Sequence, residues 1–573
     1  MARSTVHYAD NETNRILKQL HRKLRPAGTP VQRVEYIIEL LLLRIFEVKL
    51  KQDKDFKNLR KLFIEHNGDL LFSALQTTPN NQILNKINRE LFPFYSGILT
   101  KAGKVFQTNL PQKVQDQLVL IEEVFSNSNF TNNVKSGNLQ EIISLVSEID
   151  ENRLLKTDLL GDAIESALSE TGGTRDIGLF RTPDHIRQFM VGLIQPNFND
   201  TVFDPACGTG GFLFDAFGYV IESVYGEGKW PGLKGHKELQ YYFKSHFKSH
   251  KQKMPDLNTA NNFYRTGVRG IEYLGMIRKM AAINFYIRGL NPQNIEQGDS
   301  LANYDPAMDG NSKSVVLANP PFGAERDQDA YPNVWENYST ESETTILFVK
   351  LMLDSLKPGG RCAVVVSEGF LTWDQNSARA LRKMLLQDTN LKAIISLPQG
   401  VFVSKNGQGP KTSILVFEKG IPTKNVWFYK VKNDGYSMGT NRKEIAGCQL
   451  VEVLELWEKY VKNGKQCPDT KHSFFIPAEW ILRLDPRVKA KIRTETRQTI
   501  KAKGKKDREK LKDKLTAQLK KKKIGQIELE QNRAQFNLLL ESKIQNETAK
   551  RIEKAHLFSF NLPNYKSDFA DSQ

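Results

Sequence analysis

Cysteine is scarce in this chain. Its four copies, Cys207, Cys362, Cys448 and Cys467, are scattered, with no CxxC pair and no histidine at zinc-ligand spacing. That argues against a disulfide framework and a structural zinc site, and for a reduced, cytoplasmic protein without a metal. Long hydrophobic runs are missing as well. The most apolar stretch, Tyr36 to Phe46, is broken by Glu39 and Arg44 and falls far short of the ~20 residues a membrane helix needs. It reads as a buried helix of a soluble domain. The opening residues, MARSTVHYADNETN, lack the apolar core of a signal peptide. An acidic balance is absent too: 82 Lys and Arg stand against 65 Asp and Glu, a net charge of +17. Such an excess asks for a polyanionic partner, and charge alone does not separate nucleic acid from anionic lipid or an acidic protein.

What is present divides the 573 residues into four parts. Residues 1–157 show helical periodicity, as in Ile37, Ile38, Leu41, Leu42 and Ile45, and predict an all-helical N-terminal domain. In 158–436 short β-rich runs alternate with helical stretches: Thr201–Phe203, Val315–Leu317, Ala363–Val366, Ala393–Ile395 and Ser413–Phe417, with Val426–Val431 read as the last strand. Continuous apolar runs of this kind are strands covered on both faces, so the fold class is α/β with a doubly wound, Rossmann-like sheet. Residues 437–486 read as a helical connector. Residues 487–573 read as a basic helical tail, with seventeen Lys and Arg against four Asp and Glu between Arg487 and Lys523. Leu511, Leu515 and Leu519 share one face there and predict a narrow docking stripe.

Two segments carry the chemistry. Asp204-Pro205-Ala206-Cys207-Gly208-Thr209-Gly210-Gly211-Phe212 leads from a strand through a glycine-rich turn into a helix. Glycines there let the backbone approach a ligand and adopt positive φ, and the helix offers free N–H groups. Alone, the pattern is also that of a tight strand-to-helix turn. Asp204 adds a carboxylate suited to the ammonium of a methionine moiety. Glu272, ending the next strand, is suited to ribose hydroxyls, although alone it reads as a surface glutamate. Its distance from Gly208 exceeds the ~20 residues usual for such a unit, which places an insert between about Tyr225 and Arg265. That insert is rich in lysine, and reads as a phosphate contact or a solvated loop. Asp299 is placed to accept from an adenine amino group, and alone reads as a turn aspartate.

The second segment, Asn319-Pro320-Pro321-Phe322, follows a buried strand. The Asn319 side-chain oxygen and the Pro320 carbonyl can each accept a hydrogen bond from an NH₂ group, and the two prolines stiffen the backbone. Phe322 offers a stacking face for a base taken out of a duplex, and Phe402 in Leu397-Pro398-Gln399-Gly400-Val401-Phe402 offers a second. Together the segments predict methyl transfer from S-adenosylmethionine to an exocyclic amine.

These residues resemble the gamma-type amino-methyltransferases, most closely the modification (M) subunit of type I restriction–modification systems. Asp158-Leu159-Leu160-Gly161 and Phe180-Arg181-Thr182-Pro183 are similar to the family's approach to its catalytic domain, with Arg181 where the family usually has an aromatic. The resemblance implies adenine N6 as the acceptor and Thr182 and Pro183 as cofactor contacts. It also implies double-stranded DNA as substrate, a separate specificity subunit clasped by two M subunits, and a possible restriction nuclease partner. Rival readings keep the fold and change the acceptor to RNA or a protein amide, or keep only DNA binding as a scaffold without catalysis. A dinucleotide oxidoreductase has no place for Asn-Pro-Pro-Phe.

Overall fold

Thr29 closes a capping box with Gln32, and Pro30 occupies the first helical position, so helix α1 (Pro30–Gln52) begins where the sequence turns apolar. Residues Leu40 through Phe46, Arg44 apart, are fully buried. A helix covered on most of its faces is the axis of its domain. Helices α2 (Gln112–Phe125) and α3 (Ser136–Glu148) are among those that build the domain around it. The computed structural model describes residues 11–105, 110–151, 154, 182–226, 230, 236–323, 334, 343–402, 409–439, 442–482, 486–521, 525–555 and 560. Asp158–Gly161, Phe180 and Arg181, named above, lie outside the described residues, as do Lys229 and Lys234 of the insert.

The second part runs α4 (Asp184–Ile194), β1 (Val202–Asp204), α5 (Gly211–Tyr225), α6 (Lys237–Ser249), β2 (Val268–Glu272), α7 (Gly275–Ile287), β3 (Ile295–Gln297) and β4 (Lys313–Ala318). It continues through α8 (Thr344–Ser355), β5 (Leu356–Ser367), α9 (Asn376–Gln387), β6 (Thr389–Ser396), β7 (Thr412–Lys419) and β8 (Asn425–Lys430). Then come α10 (Gln449–Lys459) and β9 (Ser473–Pro477). All nine strands form one sheet in the order β3-β2-β1-β4-β5-β7-β6-β8-β9. From β3 to β5 the pairing is parallel; β7 then runs antiparallel between β5 and β6. The order reverses between β1 and β4, the crevice where open α/β sheets bind ligands.

Alternate residues of the central strands enter two cores. Val315, Leu317, Ala363, Val365, Ile414 and Val416 join one core with α4, α5, α7 and the N-terminal helices. Val316, Val364, Leu415 and Phe417 join the other with α8 and α9. The N-terminal domain is thus continuous with the first core. Lys49 staples the two: its buried Nζ donates to Gln117 Oε1 at 2.8 Å and to the Tyr286 carbonyl of α7 at 2.5 Å, over the Tyr286 ring.

Two readings change. Val426–Val431 is not the last strand, because the connector contributes β9, paired antiparallel with β8. Phe474 and Ile476 of β9 fill the second core, and burying that apolar face outweighs the helical tendency around it. The basic tail is a pair of helices, α11 (Pro486–Lys520) and α12 (Gln526–Ala555). They run antiparallel, with Arg497 and Lys501 meeting Glu541 at 3.2 and 3.8 Å. Leu515 is buried in the seam with Ile500, Leu529 and Ile544. The predicted docking stripe is therefore used within the chain, since a helix tethered by a short turn is present at a far higher effective concentration than any partner. Beyond the hairpin the chain returns: the Phe560 N–H donates to the Leu371 carbonyl at 2.8 Å, and its ring is fully buried in the second core.

Candidate active site at the carboxyl edge of the sheet

Strand β1 ends at Asp204, and the glycine-rich turn curls over the end of β2. The Cys207 N–H donates to the Ile271 carbonyl at 3.0 Å, and the Gly208 N–H to Glu272 Oε2 at 3.0 Å. Gly208 (φ +55°) and Gly210 (φ +89°) hold the left-handed conformation that lets the chain turn this tightly. A side chain at Gly208 would point into open space, whereas one at Gly210 would strike the Phe214 ring. The turn therefore presents bare backbone to an open cleft ahead of α5, as a cofactor cradle requires. Thr209 is held by Asn284, whose amide donates to its carbonyl at 3.3 Å, and Phe212 is buried behind the turn.

Two carboxyls face this turn. Asp204 is buried, with Oδ1 accepting the Ala206 N–H at 3.0 Å. Burial pushes its carboxyl up to about 8 despite that bond, and the charge of Glu272 adds to the push. Burial also raises Glu272, against the opposing N–H groups of Leu274 and Gly208. A cation in the cleft relieves both, and the ammonium of an amino-acid moiety is the fitting one. Asp299, just after β3, accepts the Leu301 and Ala302 N–H groups through Oδ1 at 3.0 and 3.3 Å. Its neighbour Ser300 donates to the Pro205 carbonyl and ties this turn to the first. Tyr273, next to Glu272 in the chain, is an exposed aromatic that the sequence alone did not single out.

Asn319 follows β4. Its Nδ2 donates to Thr182 Oγ1 at 3.0 Å, and its Oδ1 is buried with no partner among the described residues. The amide is thereby held with its acceptor unused, and an unpaired buried acceptor costs about 1–3 kcal/mol until a donor arrives. Thr182 is itself held, because Arg187 Nη1 donates to its carbonyl at 2.7 Å. Arg187 in turn bridges Asp184 and Asp215, each at 2.7 Å, so α4 and α5 set the position of the Thr182 hydroxyl. Pro183 caps α4. On the other side Thr344 donates to the Pro321 carbonyl at 3.0 Å, and Glu343 accepts the Gly323 N–H at 3.1 Å. The start of α8 thus grips the loop that carries Pro320, Pro321 and Phe322. Phe322 is half-buried at the edge of the first core, and Phe402 is buried within it.

The structure therefore gathers every predicted site residue at one edge of the sheet or its bordering turns, with Phe402 placed deeper than Phe322. Thr182, expected to touch a cofactor, bonds to Asn319. Arg187, Asp215, Glu343 and Thr344 were not read from the sequence. Glu343 has a local sign, an acidic cap before an apolar helix, but its bond to Gly323 has none.

Comparison with known proteins agrees with this architecture. A family model described as N-6 DNA Methylase matches residues 155–496. The methylase subunit of the type I restriction enzyme EcoEI from Escherichia coli is 29% identical over 420 residues, covering 72% of this chain and 76% of that subunit. The EcoKI methylase subunit from Escherichia coli K12 is 25% identical over 383 residues, covering 63% of each chain. Among solved structures, a type I modification subunit from Vibrio vulnificus YJ016 gives a TM-score of 0.59 at 18% identity, over 85% of this chain and 96% of that one. At that identity the likeness speaks for the fold alone. With the family model matching more than half of its length, the chain belongs to the N-6 DNA methylase family, as an adenine-specific DNA methyltransferase similar to the modification subunits of type I restriction enzymes.

Proposed function

We propose that Asn319 Oδ1 and the Pro320 carbonyl receive the two N–H groups of the N6 amine of an adenine swung out of duplex DNA. The observation that carries this is the Asn319 amide, fixed by Thr182 with its acceptor oxygen buried and partnerless. Two acceptors on one amine draw its lone pair out of conjugation with the ring and aim it away from the loop. No side chain need remove a proton first, because the neutral amine attacks and the proton leaves afterwards. Phe322 and Phe402 supply the faces between which the base is held.

In this reading Asp204, Pro205, Ala206, Gly208, Thr209, Gly210, Gly211, Phe212, Glu272 and Asp299 hold S-adenosylmethionine, with Thr182 and Pro183 closing the cradle. When bound, that cofactor supplies an electrophilic methyl group. The buried Asp204 carboxyl and the open space over Gly208 fit it. The chain's partners are double-stranded DNA and a specificity subunit that chooses the target, clasped by two copies of this chain; a restriction nuclease subunit completes some such assemblies. The α11–α12 hairpin is the natural arm for these contacts, with its dense lysines and the exposed Leu538 and Leu539. Among the described residues no helix is long and apolar enough to cross a membrane.

Transfer of tritiated methyl groups by the co-purified complex to DNA, with RNA and protein as controls, tests this function. Label on RNA or protein in place of DNA would refute it.

A further inference from the structure

Three neighbouring strands end at the carboxyl edge with a buried polar atom that no group among the described residues satisfies: Asn319 Oδ1 after β4, Ser367 Oγ on β5 and Thr412 Oγ1 on β7. They share one face. Leu317, Val365 and Ile414 stand two residues inward of them and belong to one core, and side chains of a strand alternate with a period of two. The register makes them adjacent. Ala318 lies opposite Val364, so Ser367 stands one strand over from Asn319 and two residues further toward the edge. Ser367 lies directly opposite Thr412. Strand spacing sets the row at roughly 10 Å, the width of a purine with its hydrogen-bond partners. Phe402 belongs to the core on this face, and Thr182 holds Asn319 from the same side.

Unpaired buried hydroxyls are costly, and a cluster of them at a candidate site calls for an explanation, a ligand that completes them being one. The other face of the same strand ends offers a contrast. There Ser396 and Ser413 both donate to Glu368, which also pairs with Lys411. Among the described residues, Ser396 and Ser413 are thus satisfied, whereas Asn319 Oδ1, Ser367 Oγ and Thr412 Oγ1 are not. Asn319 Oδ1 accepts a hydrogen; the two hydroxyls can donate one. An adenine presents that complement, an amino donor flanked by ring-nitrogen acceptors.

We propose that Ser367 and Thr412 read the target base, each hydroxyl donating to a ring nitrogen of the extruded adenine whose amine Asn319 holds. The assignment rests on the proposed function above. It adds that this face selects the base by its ring acceptors and not by the amine alone. A base lacking the acceptor leaves a buried hydroxyl unpaired and is disfavoured for that reason.

The test uses the full complex that co-purifies with this chain and a duplex whose methylated adenine has been mapped by sequencing. That adenine is replaced in turn by 1-deaza-, 3-deaza- and 7-deazaadenine. The wild type is expected to lose roughly ten- to hundredfold in kcat/KM on at least one analogue. Ser367→Ala or Thr412→Val is expected to lose a similar factor on adenine and nothing further on the matching analogue. Retained binding of S-adenosylmethionine shows that each variant is folded, and Ser367→Thr, which keeps the hydroxyl, is expected to keep the analogue penalty. Equal penalties in wild type, Ser367→Ala and Thr412→Val would overturn the assignment while leaving methyl transfer intact. No methylation of any adenine by the wild type would overturn both.

Discussion

Thr182 and Asn319 stand 137 positions apart and meet in a 3.0 Å hydrogen bond that sets which way the Asn319 amide faces. The nitrogen is occupied, and the oxygen is left buried and unpaired. In the proposed reaction an amide held this way would meet the amine donor without reorganisation.

Asn319→Ala should abolish transfer while leaving cofactor binding nearly intact. Losing a hydrogen bond that matters in the transition state costs ~2.7–4 kcal/mol, about a hundred- to thousandfold in rate. Thr182→Val keeps the shape and removes the hydroxyl, freeing the amide to turn, with an expected loss of about tenfold in kcat. Single-turnover rates measure both, and near-normal turnover of Asn319→Ala would sink the mechanism.

Phe322→Ala should weaken the hold on the extruded base by roughly 1–3 kcal/mol, read by 2-aminopurine fluorescence at the target position. Because Phe402 is buried at 5% exposure, Phe402→Ala should also cost ~3–5 kcal/mol of stability. Denaturant titration separates the two aromatics. A Phe322→Ala variant with unchanged fluorescence and activity would leave the stacking role to Phe402.

Asp204 links pH to both stability and binding. Its folded value, pushed up to about 8, lies above the ~3.9 of an unfolded aspartate. The group therefore subtracts no stability below pH ~4, subtracts progressively more as pH rises, and reaches its full cost above about 8. Asp204→Asn should raise Tm at pH 9 and leave it unchanged at pH 4. A bound cation reverses the shift, so S-adenosylmethionine binding to the wild type at pH 7 should release protons. Calorimetry in buffers of different ionisation enthalpy reads that release, and an equal release by Asp204→Asn would exclude the residue as its source.

The hairpin and the segment after it should separate into two roles. Phe560→Ala removes a fully buried ring from the second core and should cost ~3–5 kcal/mol in denaturant titration. Neutralising Lys503, Lys505, Lys510 and Lys512 on α11 should leave stability alone and flatten the salt dependence of DNA affinity, by ~0.9 for each phosphate the arm no longer neutralises. An unchanged slope with reduced co-purification would assign the arm to subunit assembly.

Much of the site was legible in the chain itself, because its chemistry is written in contiguous residues. A glycine-rich turn and an Asn-Pro-Pro-Phe segment each bring their candidate groups together within a few consecutive residues, so composition and spacing suffice to name them. The parallel strands were legible for a related reason: residues such as Val315, Val316 and Leu317 are apolar without alternation because both faces of the strand are covered. Strand β9 was not legible, since Ser473–Pro477 becomes a strand only by pairing with β8 and filling a core built by distant helices. The tail's leucines showed an apolar stripe but not that α12 would cover it, for periodicity tells which face is buried and never against what. Which way the Asn319 amide points, and which hydroxyls of the sheet edge remain unpaired beside it, were decided by tertiary structure alone. Those facts depend on Thr182, Ser367 and Thr412 arriving near Asn319 from separate elements, and a hydrogen bond between residues more than a hundred positions apart leaves no periodic trace in sequence.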